Sequence, residues 1–171
     1  MLDREQVEIL FFPGDKNGRR KAQRVLSRLH ERDTLKRGRR AGLPCYYTVD
    51  HYRQVEHRIG VNWAYCYLVK RLKTWEELAW EYEATFGSIR ADALATITNK
   101  VKGSRRHVII EYDRGTEGDL SVVEKYADIE GASLLVVADD AKRAVELGRV
   151  RLAVPVTVLT VRQIQEVMGS A

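Results

Sequence analysis

Two cysteines are all this chain has, Cys45 and Cys66, and neither has a second metal-binding neighbour in sequence. That excludes a disulfide framework and gives no zinc-ligand spacing. No apolar run approaches the roughly 20 residues a spanning helix needs, and the N-terminus has no signal-peptide pattern. A cytoplasmic protein without membrane contact is therefore expected. Glycine patterns of the phosphate-loop or dinucleotide type are missing, as are repeats and low-complexity stretches. With 171 residues, 44% of them hydrophobic, the chain can bury the core of one domain, with or without a small appendage.

What is present is an uneven distribution of charge. Residues 16–40 hold eleven Lys or Arg against Glu31 and Asp33, a net +9, so the rest of the chain carries −4 of the total +5. A concentrated basic block on a slightly acidic protein points to a polyanion partner, most simply double-stranded DNA. The block lies on predicted secondary structure. Residues 2–11 read as a short helix with Asp3 as N-cap, and a second helix spans 17–33 with Ala22, Val25, Leu26 and Leu29 as its core stripe. Arg19 opens that helix, and its outer face carries Arg20, Gln23, Arg24, Ser27 and Arg28, long donors suited to phosphates and base edges. A hairpin follows, with Arg37, Arg39 and Arg40 at its tip. Helix, turn, basic helix and basic hairpin are the parts of a winged helix-turn-helix. Such domains carry a further helix in front; here either another helix or a partner chain is expected to take its place, or the wing is degenerate. The competing reading is that the arginines merely keep a small appendage soluble.

The next helix is the longest, 51–73, with a stripe of Val61, Ala64, Tyr65, Leu68 and Leu72. Residues 75–86 alternate Trp80 and Tyr82 with Glu81 and Glu83, which favours an extended segment. Then comes a hairpin. Counting back from the turn flanked by Asn99 and Ser104 places Asp92 opposite Glu111, and Asp113 lies two residues beyond on the same face. Like charges opposite each other destabilise a ladder, so a cation should compensate them, Mg²⁺ being the candidate. Glu83 is a fourth candidate acid, and His57 could approach the site or simply pack. Two plainer accounts compete: the acids form a wet face, or they pair with Arg90, Arg105, Arg106 and Arg114. Against the first stands the run Val108, Ile109, Ile110, which predicts a strand buried on both faces. Thr116 and Asp119 have capping-box spacing before a helix whose buried stripe is Val122, Val123, Tyr126 and Ala127, with Lys125 to the side. Strands over 133–138 and 155–160 alternate with helices starting at Asp139 or Asp140 and at Val161, predicting right-handed crossovers on a mixed sheet.

This layout is that of the PD-(D/E)XK nuclease core, and the chain resembles the replication-relaxation family of plasmid and mobile-element proteins. The resemblance rests on Ile89-Arg90-Ala91-Asp92-Ala93, on Ile110-Glu111-Tyr112-Asp113-Arg114-Gly115-Thr116-Glu117 with the later Lys125-Tyr126, and on His57-Arg58 followed by Val61-Asn62. It implies an α/β (α+β) architecture: a winged-helix-like DNA-binding module over 1–52, then a nuclease-like mixed-sheet domain over 53–171. It also implies Asp92, Glu111 and Asp113 as metal and catalytic carboxylates. The pattern departs at one place, because Asp113 stands where the strand lysine belongs; Lys125, reaching back from the next helix, is the substitute. Two functions follow. One is a DNA-binding protein acting in replication or relaxation of a mobile element, its nuclease-like domain without activity. The other is a Mg²⁺-dependent DNA endonuclease. Partners are duplex DNA and, in either case, potentially a second copy of the chain.

Overall fold

In the computed structural model, residues 1–39, 45–49, 54–115 and 120–169 are described. Strand β1 (Leu2–Asp3) runs directly into helix α1 (Arg4–Phe11). The boundary is set by a capping box: Asp3 accepts from the Gln6 N–H, and the Gln6 side chain accepts from the Asp3 N–H. Gln6 is fully buried because its amide also donates to the Ile59 carbonyl at 2.9 Å, tying α1 to the central helix. Helix α2 (Gly18–Glu31) buries Ala22 and Leu26. Val25, expected in the same stripe, is instead 40% exposed. It borders an apolar groove with Phe11, Leu29 and Val49; α1 ends at Phe11, itself exposed, so no described element covers that edge of α2. Strands β2 (Lys36–Gly38) and β3 (Tyr46–Thr48) complete a three-stranded antiparallel sheet in the order β1-β3-β2. The hairpin tip with Arg40, and the boundary expected at residue 52, lie outside the described residues.

Helix α3 (Val55–Arg71) lies against α1, α6 and the main sheet. Its buried residues therefore go well beyond the expected stripe and include Val55, Ile59, Trp63 and Cys66, whereas Tyr65 and Leu72 are half-buried. Gly60 permits the close approach to the sheet, since a Cβ there would sit 2.4 Å from the Tyr112 ring. No described helix is long and apolar enough to cross a membrane.

The main sheet is mixed, in the order β10-β9-β8-β7-β4. Strand β4 (Glu76–Tyr82) is extended as the alternation predicts, and a two-stranded ribbon of β5 (Thr85–Phe86) and β6 (Ile89–Arg90) follows it. Strands β7 (Ala93–Asn99) and β8 (Arg105–Asp113) pair antiparallel as Ala93↔Ile110, Leu94↔Ile109 and Ala95↔Val108. That is the register counted from the turn. Asn99 holds the turn by accepting from the Val101 and Lys102 N–H groups, and Gly103 supplies the positive φ of 67°.

After the short helix α4 (Ser121–Glu124), β9 (Ala132–Ala138) runs parallel to β8, and β10 (Val156–Thr160) parallel to β9. Helices α5 (Ala141–Leu147), capped by Asp140, and α6 (Val161–Gly169) follow those two strands. The Thr116–Asp119 cap lies outside the described residues; the residue before α4 is Leu120, which makes no side-chain cap. On one face Val108, Ile110, Leu135 and Val137 pack on α3 and α6. On the other, Ile109, Leu134 and Val136 pack on Val123, Tyr126, Ile129 and Leu147. Burial on both faces explains the unbroken apolar runs, each such side chain being worth about 1.5–3 kcal/mol.

Candidate functional site

The apolar run of β8 ends in Glu111, Tyr112 and Asp113, at the strand's C-terminal end, where open α/β sheets place their ligands. Period-two alternation sends Glu111 and Asp113 to the side of Ile109, toward α4 and α5, and Tyr112 to the side of Gly60 and α3. A cavity of ≈400 Å³ opens there, and Asp92, Glu111, Asp113 and Lys125 all line it, together with His57 and Arg143. The four residues predicted to share a site are thus brought together.

Each acid has its own partner. Asp92 lies just before β7; its Oδ1 is 2.8 Å from His57 Nε2 on α3, and its Oδ2 accepts from the Tyr112 N–H at 2.8 Å. Tyr112 also meets the His57 ring edge-on, with centroids 5.6 Å apart. Glu111 is 4% exposed. Its Oε1 accepts from the Tyr126 hydroxyl and lies 2.9 Å from Lys125 Nζ. Asp113 Oδ2 is 2.6 Å from Arg143 Nε, and Oδ1 accepts from the Gly115 N–H at 2.6 Å. Arg143 is itself buried, held from below by Asp140, which accepts from its backbone N–H.

The four arginines considered as partners are not the ones used. Arg90 pairs with Glu83, Arg106 with Glu76 and Arg114 with Glu56, while Arg105 is exposed at the far end of β8. The compensation comes from α3, from the residue capping α4, and from α5. Glu83 does not join the acids; it lies in the neighbouring cavity between Arg58 and Arg90.

Burial first, and the charge of Asp92 second, push Glu111 up to about 7, against the opposing pull of Tyr126 and Lys125. The same burial and the Glu111 charge push the Tyr126 hydroxyl well above its ordinary range, so it remains a donor. Among the described residues no group of three or more His, Cys, Asp or Glu is placed to hold a metal ion. Both oxygens of Asp113 are engaged, by Arg143 and the Gly115 N–H, and so are both of Asp92, by His57 and the Tyr112 N–H, so the three-carboxylate set does not fit a cation as it stands. What remains is the repulsion between Asp92 and Glu111, which a cation would relieve only by displacing His57 or the Tyr112 N–H from Asp92.

Of the residues assigned to DNA, Arg19, Arg20, Gln23, Arg24 and Arg28 are exposed on α2, as are Arg37 and Arg39 on the hairpin. Ser27 is half-buried, and its hydroxyl accepts from Gln23, whose amide also reaches Tyr47. Among the described residues none of Arg19, Arg20, Arg24 and Arg28 is in an ion pair, and Arg40 lies outside them. Arg143 and the Tyr126 hydroxyl are the site groups that sequence reasoning missed. The available signal for Arg143 was its position four residues before Leu147, on the buried side of α5.

A family model described as replication-relaxation matches residues 44–130, just over half of the chain. The matched segment runs from the end of the hairpin through α3 and β8 to the residues after α4, and so contains Asp92, Glu111, Asp113 and Lys125 but not α2. No curated protein and no solved structure matches.

Proposed function

Starting from the fact that this chain belongs to the replication-relaxation family, we propose that it is a DNA-binding protein acting in the replication or relaxation of a plasmid or other mobile element. The observation that carries this reading is the outer face of α2, where four arginines stand in solvent with no ion-pair partner among the described residues while a basic hairpin lies beside them on the β1-β3-β2 sheet. In this reading α1, α2 and the hairpin work as a winged helix-turn-helix, with Arg20, Gln23 and Arg24 toward the duplex and Arg37 and Arg39 on the backbone. Helix α3, packed on α1, supplies the support that a preceding helix gives elsewhere. A homodimer would present two α2 helices to one duplex. Duplex binding by the full chain, measured by gel shift across a salt series, tests it; absence of a shift at low salt sinks it.

A second reading is favoured by Glu111. A buried carboxylate raised to about 7 beside Asp92 is the electrostatic signature of a place that gains from a cation. Here the nuclease-like domain would be a DNA endonuclease: Asp92, released from His57, and Glu111 would hold Mg²⁺, and Lys125, 2.9 Å from Glu111, would stand in for the absent strand lysine. The ion would supply charge neutralisation at the phosphate and acidify a bound water. Asp113 in this reading anchors Arg143. Supercoiled plasmid incubated with protein and Mg²⁺ or Mn²⁺, beside Asp92→Ala/Glu111→Ala, separates the two readings. Metal-dependent nicking lost in the variant establishes the second; intact binding without nicking leaves the first.

A further inference from the structure

The end of the sheet opposite the acids is basic. Strand β8 starts there with Arg105 and Arg106, after a turn that carries Lys100 and Lys102, and residues 99–110 contain no Asp or Glu. The connection from α3 to β4 lies beside this turn. The Lys100 N–H donates to the Trp75 carbonyl at 2.8 Å, and Glu76 faces Asn99 across the ladder. That connection adds Lys73, and the last turn of α3 adds Lys70 and Arg71.

Both pieces are held by their own hydrogen bonds. The Lys73 N–H donates to the Glu76 carboxylate at 3.0 Å, and the Glu76 N–H returns to the Lys73 carbonyl at 2.9 Å. In the turn, Asn99 accepts from the Val101 and Lys102 N–H groups, and the Gly103 N–H donates to the Asn99 carbonyl at 2.8 Å. Two apolar side chains nevertheless stand in water on this frame: Val101, 80% exposed, and Trp75, 48% exposed. The other two tryptophans differ, Trp63 being buried and Trp80 half-buried against Tyr65. An indole left open on a fixed turn is ready for a partner without further ordering.

Internal pairing removes part of the charge. Arg106 is 3.0 Å from Glu76, and Lys100 is 3.3 Å from Glu77. Lys70 and Arg71 offset the negative end of α3, and Arg71 also leans on the Tyr67 ring. Asp128 and Glu130 are exposed just ahead of β9, whose Ala132 faces His107. Seven cations thus meet four acids, a net +3. Lys73, Lys102 and Arg105 enter no ion pair among the described residues, although Lys73 is near enough to Glu76 to help hold its carboxyl below the usual range. A polyanion that also offers a flat apolar face fits this edge. Phosphates suit the three cations, and an indole in water suits an unpaired base, because the bases of a duplex are already stacked on each other. An anionic lipid surface fits less well, since it needs an apolar face to sink into it, and the large apolar groups exposed on this edge are Trp75 and Val101 among charged neighbours. We propose that this edge binds a single nucleic-acid strand, with a base stacked on Trp75 and phosphates held by Lys73, Lys102 and Arg105. It goes beyond the duplex-binding reading and uses a different surface from α2, so either can fail alone.

The test is fluorescence anisotropy of the full chain with a labelled oligothymidine of about a dozen nucleotides and, separately, a labelled duplex, each over a salt series, beside sedimentation with phosphatidylserine vesicles. Trp75→Ala should weaken oligothymidine binding about fivefold or more and leave the salt slope unchanged, because stacking displaces no counterion. Trp75→Phe should recover most of the loss. Lys102→Ala with Arg105→Ala, both at exposed positions that do not threaten folding, should weaken binding about tenfold or more and reduce the logarithmic salt slope by about 1.4, two phosphate contacts. Wild-type oligothymidine affinity in either Trp75→Ala or the double variant refutes the surface. So does a wild-type chain that sediments with the vesicles and ignores the oligothymidine. The duplex arm judges the α2 reading separately: a loss of duplex binding in Arg20→Ala with Arg24→Ala keeps that reading standing even where the oligothymidine arm fails.

Discussion

Charge is handled in opposite ways in two regions of this protein. On α2 the arginines stand in water, spaced along one helical face, with no internal anion among the described residues to hold them. At the end of β8 Glu111 and Asp113 are drawn out of water beside a half-buried Asp92, and each has a partner from a different element: Lys125 beside α4, Arg143 from α5 and His57 from α3. The exposed charges contribute little to folding and stay free to exchange water for a partner's phosphates. The buried ones must be satisfied internally, because an unpaired ion in a low-dielectric site is severely unfavourable. A basic surface therefore advertises a ligand directly. An acidic pocket does so only after its internal pairing has been subtracted, and what that subtraction leaves is the repulsion between Glu111 and Asp92.

The contrast can be broken most directly at Arg143. Arg143→Met leaves Asp113 buried without its cation and should lower stability by about 3–5 kcal/mol, read as a shifted urea midpoint; Asp113→Asn in the same chain should recover most of the loss. A change as small as that of a surface arginine would mean the pair is solvated after all. Glu111 comes next. Its folded-state value of about 7 lies above the ordinary 4.5, so the folded chain binds that proton more tightly than the unfolded one. Its contribution is fully present below about pH 4.5 and is lost as pH rises through about 7, a change of roughly 3 kcal/mol at most. Glu111→Gln should flatten stability over that window. If Asp92 and Glu111 take a divalent cation, Mg²⁺ should flatten the wild-type profile in the same way.

The smallest stability effect is expected on α2. Arg20→Ala with Arg24→Ala should change stability by less than about 0.5 kcal/mol, yet weaken duplex binding about tenfold or more and reduce the salt slope by about 2. A wild-type slope would show that the phosphates are met elsewhere.

Much of this was legible beforehand. The register of β7 on β8 follows from Asn99 and Ser104, because a tight turn fixes which residues face each other. The alternation after Glu111 places Asp113 on the same side, and the Val108–Ile110 run signals a strand covered twice. The resemblance puts Lys125, placed to the side of its helix, forward as the substitute for the strand lysine; its Nζ lies 2.9 Å from Glu111. Arg143 was not legible in this way, since it comes from a helix joined to the site only by the parallel crossover from β8 to β9. Val25 misled for a related reason: a helical stripe shows which side can be buried, not whether a neighbour is long enough to cover it.

Periodicity and turn chemistry are local, so the order of residues settled the elements, the strand register, the outward basic face of α2 and the gathering of the acids at one strand end. Pairing between ions is a matter of a few ångströms across segments far apart in the chain. Only the folded packing of α3, α4 and α5 on the sheet could assign His57 to Asp92, Lys125 to Glu111 and Arg143 to Asp113, and leave Glu83 between two arginines in the neighbouring cavity.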